Sequence, residues 1–351
     1  MTLPPAQPDS TEASAERAPL SLPRVVFGSS ALGNLYEVVP DERKLAIVRA
    51  WLDEGGDSVV IDSAGKYGAG MALEKLGECL RELGASPERV TIGNKLGWCR
   101  IPIRGSEPTF EPGAWAGLTH DAEQRISREG ILDCWRQGVE LLGEPYVPRL
   151  LSVHDPDEFL AAGDPTERWQ DLLGAYESLS DLRDRLPDST LGVGSKDWRV
   201  AKRIAEAVRL DWVMLANCVT LYSHPTGVLE FIGQLAAQGI AVVNSGVFNA
   251  GFLVGGRYFD YRVPSPTANA ELFRWRETFN QLCTEHQVRP AHVCVQFGLS
   301  PAGVESVALN TAHPGRVAEN LEIAAQPLPL SFWSAAKENG LIDPAYPHLG
   351  V

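Results

Sequence analysis

Eight short apolar segments, each ending in small or polar residues and each followed by a longer stretch of helical period, constrain this chain more than any other feature. They are residues 24–33 (RVVFGSSALG), 58–64 (SVVIDSA), 90–97 (VTIGNKLG), 149–155 (RLLSVHD), 190–195 (TLGVGS), 212–218 (WVMLANC), 240–246 (IAVVNSG) and 304–310 (VESVALN). Strands that are apolar on both faces and separated by helices imply a parallel sheet, because a parallel connection needs a crossover and the crossover helices cover the sheet. Helical patterns fill most of the gaps, among them DERKLAIVRAWLDEG, with Asp41 expected as its cap, ILDCWRQGVELLG, DWRVAKRIAEAVRL and ANAELFRWRETFNQLCTEH. Eight units at this spacing favour a closed (β/α)8 TIM barrel of the α/β class over an open sheet. The chain has 351 residues, 44% of them apolar, and a barrel of this kind commonly needs about 250 or more. One barrel domain over residues 23–351, preceded by a disordered leader over residues 1–22, is the expected organisation.

Charge and cysteine usage narrow the function classes. Against 31 Lys and Arg stand 45 Asp and Glu, a formal charge of −14. A surface of that sign repels phosphate backbones and anionic lipid, so neither nucleic acid nor a membrane is expected as partner. The Pro, Ala, Ser and Glu of the leader lack a basic n-region and an apolar core, and no later segment is long and apolar enough to span a bilayer. Six cysteines (Cys79, Cys99, Cys134, Cys218, Cys283, Cys294) stand singly, with neither zinc-site nor disulfide-framework spacing, which fits a reducing cytoplasm.

Two connections exceed what packing needs. Residues 98–120 follow the third strand and residues 247–267 the seventh, both aromatic-rich and both leaving the C-terminal strand ends where barrel active sites lie. Trp98, Phe110, Trp115, Tyr258 and Phe259 are their candidate pocket walls. Polar residues at strand ends should converge on the same mouth: Asp62 and then Tyr67 after the second strand, Lys95 in the third, His154 at the end of the fourth. A buried Lys95 needs a counter-charge, and Asp62 on the neighbouring strand is the evident partner. An ammonium beside Tyr67 is expected to favour the phenolate and lower its pKa from about 10 toward neutrality, making Tyr67 a general acid or base. Singly, each has a bland reading: a helix cap, a rim aromatic, a snorkelling lysine, a satisfied core histidine. Their joint placement on three successive strand ends favours a site.

These residues resemble the aldo-keto reductases. GSSALGNLY, DSAGKYGAG, GNKLG and VHDPDEF stand in the family's order and separations, and the resemblance runs from about residue 23 to 341. It implies a catalytic tetrad of Asp62, Tyr67, Lys95 and His154, with Tyr67, Trp98 and His154 meeting the substrate. SALGNLY, the His-Asp-Pro sequence and NSGVFNAGFLVGG are closest to the sugar-oxidising branch, the L-fucose, D-threo-aldose and L-galactose dehydrogenases, with pyridoxal 4-dehydrogenase a relative. The family binds a nicotinamide dinucleotide extended across the barrel mouth without a Rossmann domain, and GVGS at 192–195 indeed lacks the third spaced glycine of a Rossmann turn. Carried over, the cofactor contacts are Gly28, Ser29, Asp62, Ser195, Asn217 for the carboxamide, Ser245 where an aromatic commonly stacks on the nicotinamide, Gly246, Val247 and Phe248 along the pyrophosphate, and Asn310, Thr311, Arg316, Glu319 and Asn320 on the adenosine side. Asn310 stands where NADP-dependent members often carry a lysine. An uncharged side chain cannot offset a 2′-phosphate, so NAD is expected, with NADP possible through Arg316.

The resemblance implies oxidation of an aldose of L-fucose, D-arabinose or L-galactose type at C1 to the lactone, with hydride passing to NAD. The alternative on the same site is NADPH-dependent reduction of small aldehydes or ketones, and a non-catalytic cofactor-sensing subunit is a third reading. A metal-dependent hydrolase using His154, Asp155 and Asp157 is disfavoured. The other histidines (His120, His224, His286, His292, His313, His348) include no H-x-H pair and none ends a strand, so no metal is expected. A monomer or small homo-oligomer is expected.

Overall fold

The structure, a computed structural model, describes residues 20–350. Its strands are β1 (Val25–Gly28), β2 (Val59–Ala64), β3 (Val90–Leu96), β4 (Trp98–Pro102), β5 (His120–Gln124), β6 (Leu150–His154), β7 (Thr190–Ser195), β8 (Trp212–Ala216), β9 (Ala241–Ser245) and β10 (Val304–Asn310). Eight of them close into a parallel barrel in the order β1-β10-β9-β8-β7-β6-β3-β2, so each of the eight apolar segments supplies one barrel strand.

Alternation along each strand decides what enters the barrel. Val25, Phe27, Val59 and Ile61 pack outward with the helices, whereas Val26 and Val60 join Leu150, Trp212, Met214, Ala241 and Val243 in a plug across the interior. Gly192 makes room for the Trp212 indole, which an added Cβ would meet at 2.3 Å. With a side-chain period of two, the next inward position on β2 is Asp62, and on β6, two after Leu150 and Ser152, it is His154. The register pairs Ala64 with Lys95 on β3, and Lys95 with Ser152 on β6. The plug therefore floors a mouth to which the three neighbouring strands each contribute one polar side chain.

Three expectations are corrected by the fold. Asp41 is not the cap of its helix: Pro40 holds the cap position and Asp41 opens the first turn of Asp41–Glu54, where its charge suits the positive end of the helix dipole. The connection 98–120 is not plain loop, because its two ends pair as the antiparallel ribbon β4–β5, from Trp98 opposite Gln124 to Pro102 opposite His120. Residues 1–19 of the expected leader lie outside the described residues, but its last part is ordered. Leu20 and Leu22 pack under the barrel plug, and Leu22 N donates to the Glu305 carboxylate at 3.4 Å. Among the described residues no helix is long and apolar enough to cross a membrane.

Candidate active site

The four residues singled out at the strand ends meet. The Lys95 ammonium donates to Asp62 Oδ2 in a buried ion pair. The Tyr67 hydroxyl donates to the same oxygen at 3.4 Å, and Lys95 Nζ lies 4.6 Å from the Tyr67 ring centroid. His154 sets its ring edge-on to Tyr67, centroids 5.6 Å apart. Gly194 on β7 lets the lysine cross the barrel, since a Cβ there would come within 2.9 Å of Lys95 Cδ. The turn that presents Tyr67 runs through Gly68, Ala69 and Gly70, all at positive φ, and Gly33 abuts Tyr67 and Gly68 so closely that its own Cβ would meet Tyr67 C at 2.8 Å. The glycines around Tyr67 therefore serve a crowded left-handed turn.

The electrostatics differ from expectation at Tyr67. Burial, and after it the Asp62 charge, push the phenol well above its ordinary range. Lys95 does not reverse this shift, its charge being paired with Asp62, which touches the ammonium and the phenol alike. The resting side chain is a phenol. His154 is held well below its ordinary range, by burial first and then by Lys95, Lys66 and Lys196, with only Asp155 pulling the other way. The imidazole is neutral, and its buried Nδ1 has no hydrogen-bond partner.

Around this cluster lies a second one that sequence reasoning missed as a unit. Lys66, next to Tyr67, reaches Glu111 and Asp155 at 2.7 Å each and Glu158 at 3.1 Å. Lys196 follows β7 and reaches Glu158 at 2.7 Å and Asp155 at 3.4 Å. The signal was available, since Asp155 and Lys196 directly follow strand ends. Glu158, one helical turn further on, and Glu111, in a loop, carried none. The hydrolase reading fails on these contacts: Asp155 is bound to lysines, and Asp157 accepts from Ser195 Oγ at 2.8 Å.

Aromatic side chains wall the mouth. Trp115 leans on Tyr67 with centroids 5.8 Å apart and donates its Nε1 to Glu111 at 2.8 Å. Phe110 joins Trp115 to Trp98, whose buried Nε1 has no partner. From the opposite loop Tyr258 stacks on Tyr36 at 4.2 Å, and Tyr261 faces Lys196. Phe259 departs from its expected place, packing edge-on to Tyr222 and Phe252.

The residues expected to hold a nicotinamide dinucleotide divide into two sets. Ser29 Oγ and Asn217 Oδ1 are buried at the mouth without partners. Gly246, at φ 68°, lies so near Asn217 that an added Cβ would meet its Oδ1 at 2.1 Å. Gly28 ends β1 beside Asn310, and Arg316 stands exposed at the start of the helix Arg316–Ala325, a terminus suited to a phosphate. Orphaned polar atoms and a glycine cradle fit such a ligand.

The other set is engaged elsewhere. Ser195 is buried and bonded to Asp157 and the Asp197 carbonyl, and the Val247 side chain is in the core. Asn310 Oδ1 accepts from Ala31 N at 3.1 Å, Thr311 Oγ1 closes a turn with His313, and Glu319 pairs with Arg289. Ser245 has only a long contact, 3.5 Å, to the Leu215 carbonyl, while Phe248 and Asn320 are half-buried. Gly246→Ala is expected to weaken nicotinamide-cofactor binding about tenfold or more, because a left-handed alanine costs about 1–2 kcal/mol and displaces the Asn217 amide. A fluorescence titration of the cofactor measures this, and unchanged affinity would remove Asn217 and Gly246 from the site.

A barrel whose strand ends bring a tyrosine, a lysine, an aspartate and a histidine into one buried mouth defines an oxidoreductase architecture with no separate nucleotide domain. The sequence model of the aldo/keto reductase family matches residues 24–339, and the chain belongs to that family, an NAD(P)-dependent oxidoreductase. It is 28% identical over 339 residues to pyridoxal 4-dehydrogenase of Microbacterium luteolum, covering 93% of this chain and 96% of the relative. It is 26% identical to D-threo-aldose 1-dehydrogenase of a Pseudomonas species, covering 95% and 98%. Its fold is similar to that of a glycerol dehydrogenase from Gluconobacter oxydans (TM-score 0.66, 18% identity, 92% of this chain and 95% of the other). It is similar too to an aldo-keto reductase from Bacillus halodurans in its holo form (TM-score 0.62, 16% identity, 90% and 91%).

Proposed function

We propose that the protein oxidises a neutral aldose at C1 to the lactone, with NAD as hydride acceptor and Tyr67 as the general acid/base. The observation that carries this reading is the buried, neutral His154 with an unpartnered Nδ1, set against the Tyr67 phenol that is itself tethered to the Asp62–Lys95 pair. One substrate oxygen placed between phenol and imidazole meets both a proton-transfer group and a hydrogen-bond partner. When bound, NAD supplies the acceptor for the hydride leaving C1.

The residues of the chain handle the proton and the position. Tyr67 takes the anomeric hydroxyl proton, His154 holds that oxygen, Lys95 steadies the charge that develops on Tyr67, and Asp62 fixes Lys95. The orphan Nε1 of Trp98 and the alternating carboxylates and ammonium groups of Glu111, Lys66, Glu158 and Lys196 suit a ring of vicinal hydroxyls. Each of those ammonium groups already has a carboxylate partner, which leaves no free cation there for a phosphorylated sugar. The curated relative named for D-threo-aldose supports the same substrate class. Asn310 offers no charge to a 2′-phosphate, which supports NAD. Six buried free cysteines suit a reducing cytoplasm.

The test is the appearance of reduced nicotinamide with purified protein, NAD or NADP, and L-fucose, D-arabinose, L-galactose or pyridoxal. Oxidation of one of the sugars with NAD is the expected result. Its rate should climb with pH by up to about tenfold per unit, because a phenol held above its ordinary range must lose its proton before it can act as base. In the reverse direction the protonated phenol is the active form, and the rate should be flat through neutral pH. Silence with every sugar but oxidation of NADPH by simple aldehydes would overturn the aldose reading in favour of a reductase. No turnover with any substrate would favour the cofactor-sensing role.

A further inference from the structure

Lys66 and Asp155 each sit one residue from a member of the tetrad, Lys66 before Tyr67 and Asp155 after His154. Both side chains are buried, 2% and 5% exposed, and Asp155 adopts a left-handed φ of 50°. Asp155 Oδ2 lies 2.7 Å from Lys66 Nζ, 3.4 Å from Lys196 Nζ and 3.7 Å from His154 Nε2. The last distance is beyond a hydrogen bond. A carboxylate this close to a histidine ordinarily takes its N–H and favours the imidazolium. Here the nearer ammonium has it instead. Lys66 is fixed in turn by Glu111 and Glu158 and by the Trp98 ring 4.8 Å from its Nζ. These three carboxylates, close enough together to hold a cation, already enclose the ammonium.

We propose that Lys66 is a positioning residue that holds the Asp155 carboxylate off His154 Nε2 and so leaves that nitrogen, like the unpartnered Nδ1, free to hydrogen-bond the substrate oxygen. The role rests on the proposed part of His154 in proton sharing, and it explains why two lysines and three carboxylates are gathered beside a site whose own ion pair, Lys95 with Asp62, is already complete. His154 is faced by Asp155 from the end of its own strand, by Lys95 from β3 with Asp62 held upon it, by Lys66 and Tyr67 from the turn after β2, and by Lys196 from the turn after β7. Of the charges beside it Asp155 favours the imidazolium most, since the Asp62 carboxylate is taken up by Lys95. Removing Lys66 acts twice in the same direction, because it deletes a cation and releases the carboxylate. Lys196 alone, at 3.4 Å, then competes with the imidazole for Asp155.

The test is the titration of His154 by NMR in the full-length protein with labelled histidine, its signal assigned by its loss in His154→Gln. The expected result is an imidazole that stays neutral into the acid range in the wild type and titrates about one or two pH units higher in Lys66→Met. Aldose oxidation by Lys66→Met should fall about tenfold at the acid end of the profile and change little at the alkaline end. Lys66→Arg should keep the wild-type titration, and Lys66→Met/Asp155→Asn should restore it, since the neutral amide gives the imidazolium no counter-charge. A Lys66→Met imidazole that titrates as in the wild type overturns the proposal. So does an equal rate loss at every pH that Asp155→Asn fails to relieve, the mark of a merely structural lysine. A shifted titration with an unshifted rate profile supports the hold of Lys66 on Asp155 and counts instead against the part proposed for His154.

Discussion

Tyr67→Phe lowers turnover by about three orders of magnitude, the usual worth of a positioned proton-transfer group, while the protein stays folded and still binds its nicotinamide cofactor. The change removes one oxygen, whose one hydrogen bond among the described residues goes to Asp62, and Asp62 keeps the Lys95 ammonium. No buried charge is left unpaired, and the ring contacts with Trp115 and His154 survive in phenylalanine. Melting temperature and cofactor affinity should therefore change little. Rates with the best sugar of the panel, alongside a cofactor titration of the same sample, give the answer. Loss of cofactor binding together with activity would show that Tyr67 shapes the cofactor site and does not carry the proton. Residual activity above about a tenth of wild type would place the proton on another group.

The barrel was legible because a parallel sheet covered by helices writes its strands as isolated apolar runs. Every one of the eight runs became a barrel strand. Where the reading failed, the deciding contact was remote in sequence. β4 and β5 pair across a loop of seventeen residues, and their composition, with Arg100, His120 and Asp121 in the strands, carries no buried-strand pattern. Leu20 and Leu22 look like the end of a polar leader until the apolar barrel floor is seen above them.

The tetrad was legible for the same reason as the barrel, since a residue at the end of an inward-facing column has nowhere to point but the mouth. The direction of the Tyr67 shift was not. It depends on which of two groups Lys95 touches, and the ammonium turned out to be committed to Asp62. The cofactor contacts were read by position along the chain, which locates a segment but not the direction of a side chain. Ser195 and Val247 both stand in the right segment, yet one is bonded inward and the other packs in the core. The ring of Lys66, Glu111, Asp155, Glu158 and Lys196 draws on four separate segments, so neither spacing nor periodicity could assemble it.

Lys95→Met is expected to cost about 3–5 kcal/mol of stability near neutral pH as well as nearly all activity. The Lys95–Asp62 pair is buried, with side chains 3% and 8% exposed. An intact pair of this kind contributes little net stability over an apolar replacement, because desolvating two charges offsets their attraction, whereas removing one partner strands the other. In Lys95→Met the stranded charge is Asp62, with only the Tyr67 hydroxyl to bond it. Protonation relieves that strain, and the folded variant then binds a proton more readily than the unfolded chain does. Its deficit should shrink as pH falls toward the carboxylate range and grow as pH rises out of it. Denaturant unfolding of wild type and variant at neutral and mildly acid pH measures both the size and the sign. Lys95→Met/Asp62→Asn should recover most of the lost stability without recovering activity, since the charge that needed the lysine is gone but so is the lysine beside Tyr67. A single variant as stable as the wild type at neutral pH would mean that the mouth admits enough water to solvate Asp62, and the buried-pair account of this site would fall. If the double variant is no more stable than the single, the lysine matters to the fold through its packing between Gly194 and Tyr67, and the pair is there for catalysis alone.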